Sequence, residues 1–153
     1  LNPAWTIKRI LSEPLLLSGI RNREDVDGRV IEMLGRVGLD ESYAGRHPSQ
    51  LSGGQRQRVS IAAALIARPK LVIADEPLSA LDVTIQAQIM ELLLELKREL
   101  NLTYIFISHD IDVVYQLCDR IMVMKEGHVV EIGETKELFE HPKEAYTRQL
   151  IDA

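Results

Sequence analysis

Residues 71–77 read LVIADEP, a run of apolar residues that ends in Asp75, Glu76 and Pro77. Four apolar residues without alternation make the pattern of a strand buried on both faces. A similar run returns at 104–108, YIFIS. Between them, 82–100 sets Ile85, Ile89, Leu92, Leu93 and Leu96 on one stripe. Gln86, Glu95, Lys97 and Arg98 lie on the other, which predicts an amphipathic helix. Strand, helix and strand in this order predict a parallel sheet with crossover helices, an α/β fold.

Downstream, DIDVVYQLC (110–118) predicts a short helix, and 120–134 predicts strand, turn and strand with Glu126-Gly127 at the turn. Two small helices are expected over 135–140 and 143–151. Upstream the character is helical. Residues 4–17 place Trp5, Ile7, Ile10 and Leu11 at helical spacing, with Pro14 as a kink or stop. Residues 23–37 place Val26, Val30, Met33, Leu34 and Val37 on one face, weakened by Gly28 and Gly35. After a turn-rich stretch over 38–50, a third helix is expected from Ser52 to about Ala67, stopped by Arg68-Pro69. The chain therefore divides near Pro69 into an all-helical subdomain, 1–68, and an α/β part, 69–153.

Composition narrows the function. The 153 residues are 46% hydrophobic and 27% charged, the balance of a globular domain. A net charge of −5 argues against binding to nucleic acid through phosphate neutralisation. Cys118 is the single cysteine, so no internal disulfide can form. No apolar run approaches the roughly 18–20 residues of a membrane span. The first ten residues, LNPAWTIKRI, carry neither an initiator methionine nor a signal-peptide layout and read as if cut from a longer chain.

Three stretches carry candidate chemistry. LSGGQRQRV (51–59) opens the third helix. Ser52 and Gln55 have the spacing of a capping box, which explains the serine and the glutamine but not Gly53 and Gly54. A helix start built from small residues also suits an anion such as phosphate, and both readings stay open on these residues alone. In LVIADEP, Asp75 and Glu76 follow a buried strand, at the sheet edge where α/β proteins bind ligands. Asp75 could hold Mg²⁺ and Glu76 could orient or deprotonate a water; the bland alternative is an acidic strand-to-loop turn. His109 follows the second strand, at the expected position of a phosphate-facing donor. His47, His128 and His141 are scattered, without metal-ligand spacing.

Taken together, LSGGQ, LVIADEP, SALD (79–82) and SHD (108–110), in this order and spacing, resemble the ATPase subunit of ATP-binding cassette transporters. HPSQLSGGQRQRV, ADEPLSALDVTIQAQI and HPKEAYTRQLI are similar to the subgroup that energises oligopeptide, dipeptide and nickel importers. The resemblance covers essentially the whole chain. It implies a head-to-tail pair of ATPase subunits, with each ATP between the P-loop of one and the signature motif of the other. Ser52, Gly53, Gly54 and Gln55 would then contact a nucleotide held by the partner. Glu76 would polarise the attacking water, Asp75 would serve Mg²⁺, and His109 would contact the γ-phosphate. Ser79 and Asp82, in the D-loop, would act across the dimer interface. Transmembrane permease subunits, and a peripheral place on the cytoplasmic face of the cell membrane, are implied in the same way.

The chain departs from that pattern by lacking any G-x-x-x-x-G-K-S/T. The implied fold is a partial P-loop NTPase, with a RecA-like parallel sheet that lacks its central P-loop strand. Three expectations follow: a fragment that binds ATP and Mg²⁺ poorly alone, a sheet with two bare strand edges, and self-association through those edges. The alternatives are a natural non-catalytic half-subunit that lends its signature to a partner, and a non-transport ATPase of the same superfamily.

Overall fold

The protein is described from a computed structural model that covers residues 1–79 and 81–152. Three caps show why the helices begin where they do. The Thr6 side chain accepts the Arg9 N–H at the start of α1 (Ile7–Leu17), and Asn22 accepts the N–H groups of Glu24 and Asp25 at the start of α2 (Arg23–Arg36). Ser52 does the same for Gln55 at the start of α3 (Gly53–Leu65). Each cap satisfies an N–H that the first turn leaves without a partner. Single 3₁₀ turns at Glu41–Gly45 and Pro48–Gln50 join α2 to α3.

The chain then alternates: β1 (Leu71–Asp75), α4 (Val83–Leu100), β2 (Thr103–Ile107), α5 (Ile111–Leu117), β3 (Arg120–Lys125) and β4 (His128–Glu134). Two short helices close it, α6 (Thr135–Glu140) and α7 (Ala145–Ile151). α4 ends at Asn101, whose left-handed φ of 50° turns the chain into β2.

The backbone gathers into two compact units, Leu1–Ile105 and Phe106–Ala153. In the first, α1, α2 and α3 enclose an aliphatic core in which Ile7, Leu11, Leu15, Val30, Leu34, Val37 and Val59 have no exposure. The inner stripe of α4 is buried at Ile89, Leu92, Leu93 and Leu96, as its periodicity predicts, while Ile85 on the same stripe is only half-buried. Pro14 neither stops nor ends α1, which runs three residues beyond it to Leu17. A proline costs one backbone hydrogen bond there, while buried Ile10, Leu11 and Leu15 hold the turn in place.

β1 and β2 form a two-stranded parallel sheet, with α4 as the crossover that a parallel pair requires. β3 and β4 form a separate antiparallel hairpin in the second unit, with Lys125 opposite His128. Its two-residue turn is Glu126-Gly127, with φ of 50° and 79°, as the sequence predicts; positive φ at both positions matches the twist of the flanking strands. The α/β class is thus present, with the strands in two sheets rather than one.

The expected burial of the strands fails as well. β1 and β2 are not buried on both faces: in each, exposed and half-buried residues alternate, and Ile73 is 64% exposed. With two paired strands and one crossover helix, only one face is covered. Among the described residues, no helix is long and apolar enough to cross a membrane.

Candidate functional site

The first turn of α3 holds the capping box that the sequence predicts. Ser52 Oγ accepts the Gln55 N–H at 3.3 Å, and Gln55 Oε1 accepts the Ser52 N–H at 3.0 Å. The N–H groups of Gly53 and Gly54 belong to the same turn and have no acceptor within the helix. Gly53 is exposed and Gly54 is buried. The turn thus offers one open glycine, an outward serine hydroxyl and the positive end of a 13-residue helix, an arrangement suited to an anion.

Sequence reading misses what holds Gln55. Its Nε2 donates to the Tyr43 hydroxyl at 2.9 Å, and Arg46 stacks over the Tyr43 ring at 4.0 Å. Twelve residues separate Tyr43 from Gln55, and no local spacing signals that pair.

The two glycines also differ in their neighbours. A Cβ on Gly53 would make ordinary contact with Leu81 Cδ2 at 3.8 Å, whereas one on Gly54 would lie 2.7 Å from Ile85 Cγ2. The structure therefore gives Gly54 a reason internal to the chain, which the capping box alone did not.

Asp75 ends β1 and is exposed, as is Glu76, which adopts a left-handed φ of 43°. That conformation is unusual for a residue with a side chain, and strain of this kind tends to gather at functional turns. The following loop is tied to itself. Ser79 donates its N–H and Oγ–H to the Glu76 carbonyl at 3.3 and 3.1 Å, and the Leu81 N–H reaches the Leu78 carbonyl at 3.2 Å. Gln86 Nε2 also donates to that Leu78 carbonyl at 3.0 Å, and Asp82 caps α4 by accepting the Ile85 N–H. Ala80, within SALD, lies outside the described residues. Gly53, Arg56, Ser60, Glu76, Ser79 and Leu81 share an open cleft of about 310 Å³ in the first unit. The signature turn, the acid after β1 and the SALD loop are thus neighbours.

His109 belongs to the second unit, where it is exposed just before the Asp110 cap of α5. Among the described residues, no three His, Cys, Asp or Glu side chains gather into a metal cage. Mg²⁺ usually takes one or two carboxylates and completes its shell with water and phosphate. Exposed Asp75 is a carboxylate of the kind such an ion takes, and the described residues offer no cage of their own.

The family model described as "ABC transporter" matches residues 2–79. The chain is 50% identical over 153 residues to a glutathione import ATP-binding protein of Pectobacterium atrosepticum, and covers all of this chain and 25% of that protein. It is 48% identical over its whole length to an oligopeptide transport ATP-binding protein of Bacillus subtilis, 46% of which it covers. A dipeptide transport ATP-binding protein of Escherichia coli is 44% identical, again over 100% of this chain and 46% of its own length. The chain thus spans half or less of the length of these curated relatives. A solved dimeric ATP-binding cassette, in a post-hydrolysis state with ADP and Pi, superposes with a TM-score of 0.76 at 36% identity. That match covers 88% of this chain and 59% of the other.

Proposed function

The chain belongs to the ABC transporter family, and from that premise we propose that it carries one part of the ATP-hydrolysing subunit of an importer for peptides or a related cargo such as nickel. The observation that carries this reading is the identity of 44–50% along the whole chain with import ATP-binding proteins. The geometry supports it. Gly53 and Gly54 begin a helix in which their own N–H groups have no helical acceptor, and Ser52 and Gln55 brace that turn from both sides.

In this reading Ser52, Gly53, Gly54 and Gln55 meet the terminal phosphate of an ATP presented by a second ATPase subunit. ATP and Mg²⁺ supply the scissile phosphoanhydride and the charge that offsets its negative oxygens. Asp75 is the metal-side carboxylate for the other ATP of the pair, the one held in cis by the P-loop of the complete subunit, on which Glu76 and His109 also act. Glu76 holds and polarises the attacking water, as a carboxylate within hydrogen-bond reach of it can. His109 donates to the phosphate, while Ser79 and Asp82 face the partner subunit. The division into a helical subdomain (1–68) and a later nucleotide-binding part (69–153) belongs to the same proposal. So does a peripheral place at the cytoplasmic face of the membrane, against permease subunits.

The 153-residue chain has no G-x-x-x-x-G-K-S/T to cradle the β- and γ-phosphates, so by itself it is a weak ATP binder and inactive. Exposed Leu71, Ile73 and Ile105 support its expected self-association. The test is hydrolysis by this chain fused behind the P-loop-bearing half of a relative. Glu76→Gln should lower the rate by about 100-fold or more while nucleotide binding persists. A Glu76→Gln fusion that hydrolyses ATP at the parent rate would remove Glu76 from the reaction.

A further inference from the structure

We propose that Ile85 is a positioning residue that fixes the signature turn against the SALD loop, and that Gly54 must be glycine because Ile85 fills the space of its Cβ. A Cβ at residue 54 would sit 2.7 Å from Ile85 Cγ2, 3.6 Å from Cδ1 and 3.8 Å from Cβ. The first distance is well inside van der Waals contact, and the atom it meets cannot move aside. Cγ2 is bonded directly to Cβ of a β-branched side chain, and such side chains keep one strongly preferred χ1 in a helix. Relief would require the first turns of α3 and α4 to separate.

Those turns carry more than themselves. The Ile85 N–H is held by Asp82 Oδ1 at 3.0 Å, and the next residue, Gln86, holds the Leu78 carbonyl at 3.0 Å. Gly53 rests against Leu81 at 3.8 Å. The first turn of α4 therefore grips the 78–82 loop by hydrogen bonds and the signature turn by close packing, so the two move as one block. The glycines of α2 make the contrast. A Cβ added at Gly28 or Gly35 meets nothing within 4 Å. Close approach to a phosphate is thus not the only reason for the second glycine of LSGGQ. The functional meaning of the block rests on the reading above, in which both elements face a partner subunit. The packing itself does not.

The test uses the 153-residue chain without nucleotide, so it stands apart from the fate of the ATP-site reading. Gly28→Ala, at an open helix position, should raise the melting temperature by a few degrees. Gly54→Ala should lower it by about 5 °C, since overpacking outweighs the gain in helix propensity. Ile85→Leu deletes the Cγ2 methyl at constant volume, so Gly54→Ala/Ile85→Leu should return to within about 2 °C of the parent. Amide exchange supplies the readout for positioning. Gly54→Ala should speed exchange in 78–86 as well as in 52–59, and the double variant should restore both. A double variant no more stable than Gly54→Ala would overturn the proposal, as would an exchange change confined to 52–59. If Gly54→Ala fails to fold, the double variant decides alone: folding supports the contact, and failure to fold overturns it.

Discussion

In the helical region before residue 67, Ile7, Leu11, Leu15, Val30, Leu34, Val37 and Val59 are wholly shielded. In the strands, Ile73 is 64% exposed, and Met122, Met124, Val129 and Ile132 are each more than half exposed. Both regions are rich in aliphatic residues, so composition does not separate them. The number of packing partners does. Three helices can enclose a core among themselves, because each buries one stripe against the other two. A two-stranded sheet has too few packing partners to cover both of its faces and leaves apolar side chains open. Exposed apolar side chains on paired strands mark surfaces made to be covered, which accords with relatives at least twice as long as this chain.

The largest expected effect would come from breaking the closed region. Leu34→Ala, at a site with no exposure, should cost about 3 kcal/mol and be seen as a fall of roughly 10 °C in melting temperature. A fall of a degree or less would mean that the helical core is not closed. Ser52→Ala, which removes the cap of α3, should cost about 1 kcal/mol by chemical denaturation. Ile73→Thr sharpens the contrast, because the same kind of change on the open face should alter stability by no more than about 0.5 kcal/mol. It should instead reduce self-association in light scattering. If the parent chain is a clean monomer at all accessible concentrations, the open face does not act as proposed.

The smallest effect is one of pH. Glu131, on β4, accepts the N–H groups of Lys143 and Glu144 at 3.0 and 3.1 Å and so ties down the segment that leads into α7. The Thr147 hydroxyl is buried without a partner at hydrogen-bonding geometry, yet its closeness is the largest influence holding the Glu131 pKa below the ordinary glutamate range. The two backbone N–H groups and Lys143 add to it, against a smaller opposing effect of burial. A carboxyl whose folded pKa is lowered contributes stability above its unfolded pKa, and that stability is lost as pH falls through the folded value. Denaturation between pH 7 and pH 3 should therefore show an acid loss that Glu131→Gln makes shallower. An unchanged slope in the variant would mean that this anchor carries no charge-dependent stability.

Much of this was legible in the sequence because it depends on local chemistry. The Ser52–Gln55 box, the Glu126-Gly127 turn and the inner stripe of α4 follow from spacing alone, and each is found where spacing puts it. What escaped depends on contacts between distant residues. Nothing near Gly54 announces Ile85, 31 positions along the chain, and nothing near Gln55 announces Tyr43. The burial of β1 was misread because an apolar run reports what a strand is suited to face, not what this chain supplies to face it. Pro14 fails as a stop for the opposite reason: local propensity argued for an end to the helix, and the packing of Leu11 and Leu15 overrode it.

The central claim is that this chain holds the signature side of an ATP site and lacks the phosphate cradle. Its most direct test is calorimetric titration of Mg-ATP into the 153-residue chain, beside the chain fused behind the P-loop-bearing half of a relative. The account predicts saturable heat for the fusion and none above dilution for the chain alone. Tight binding by the chain alone would contradict it, and would mean that a complete phosphate site lies within these residues.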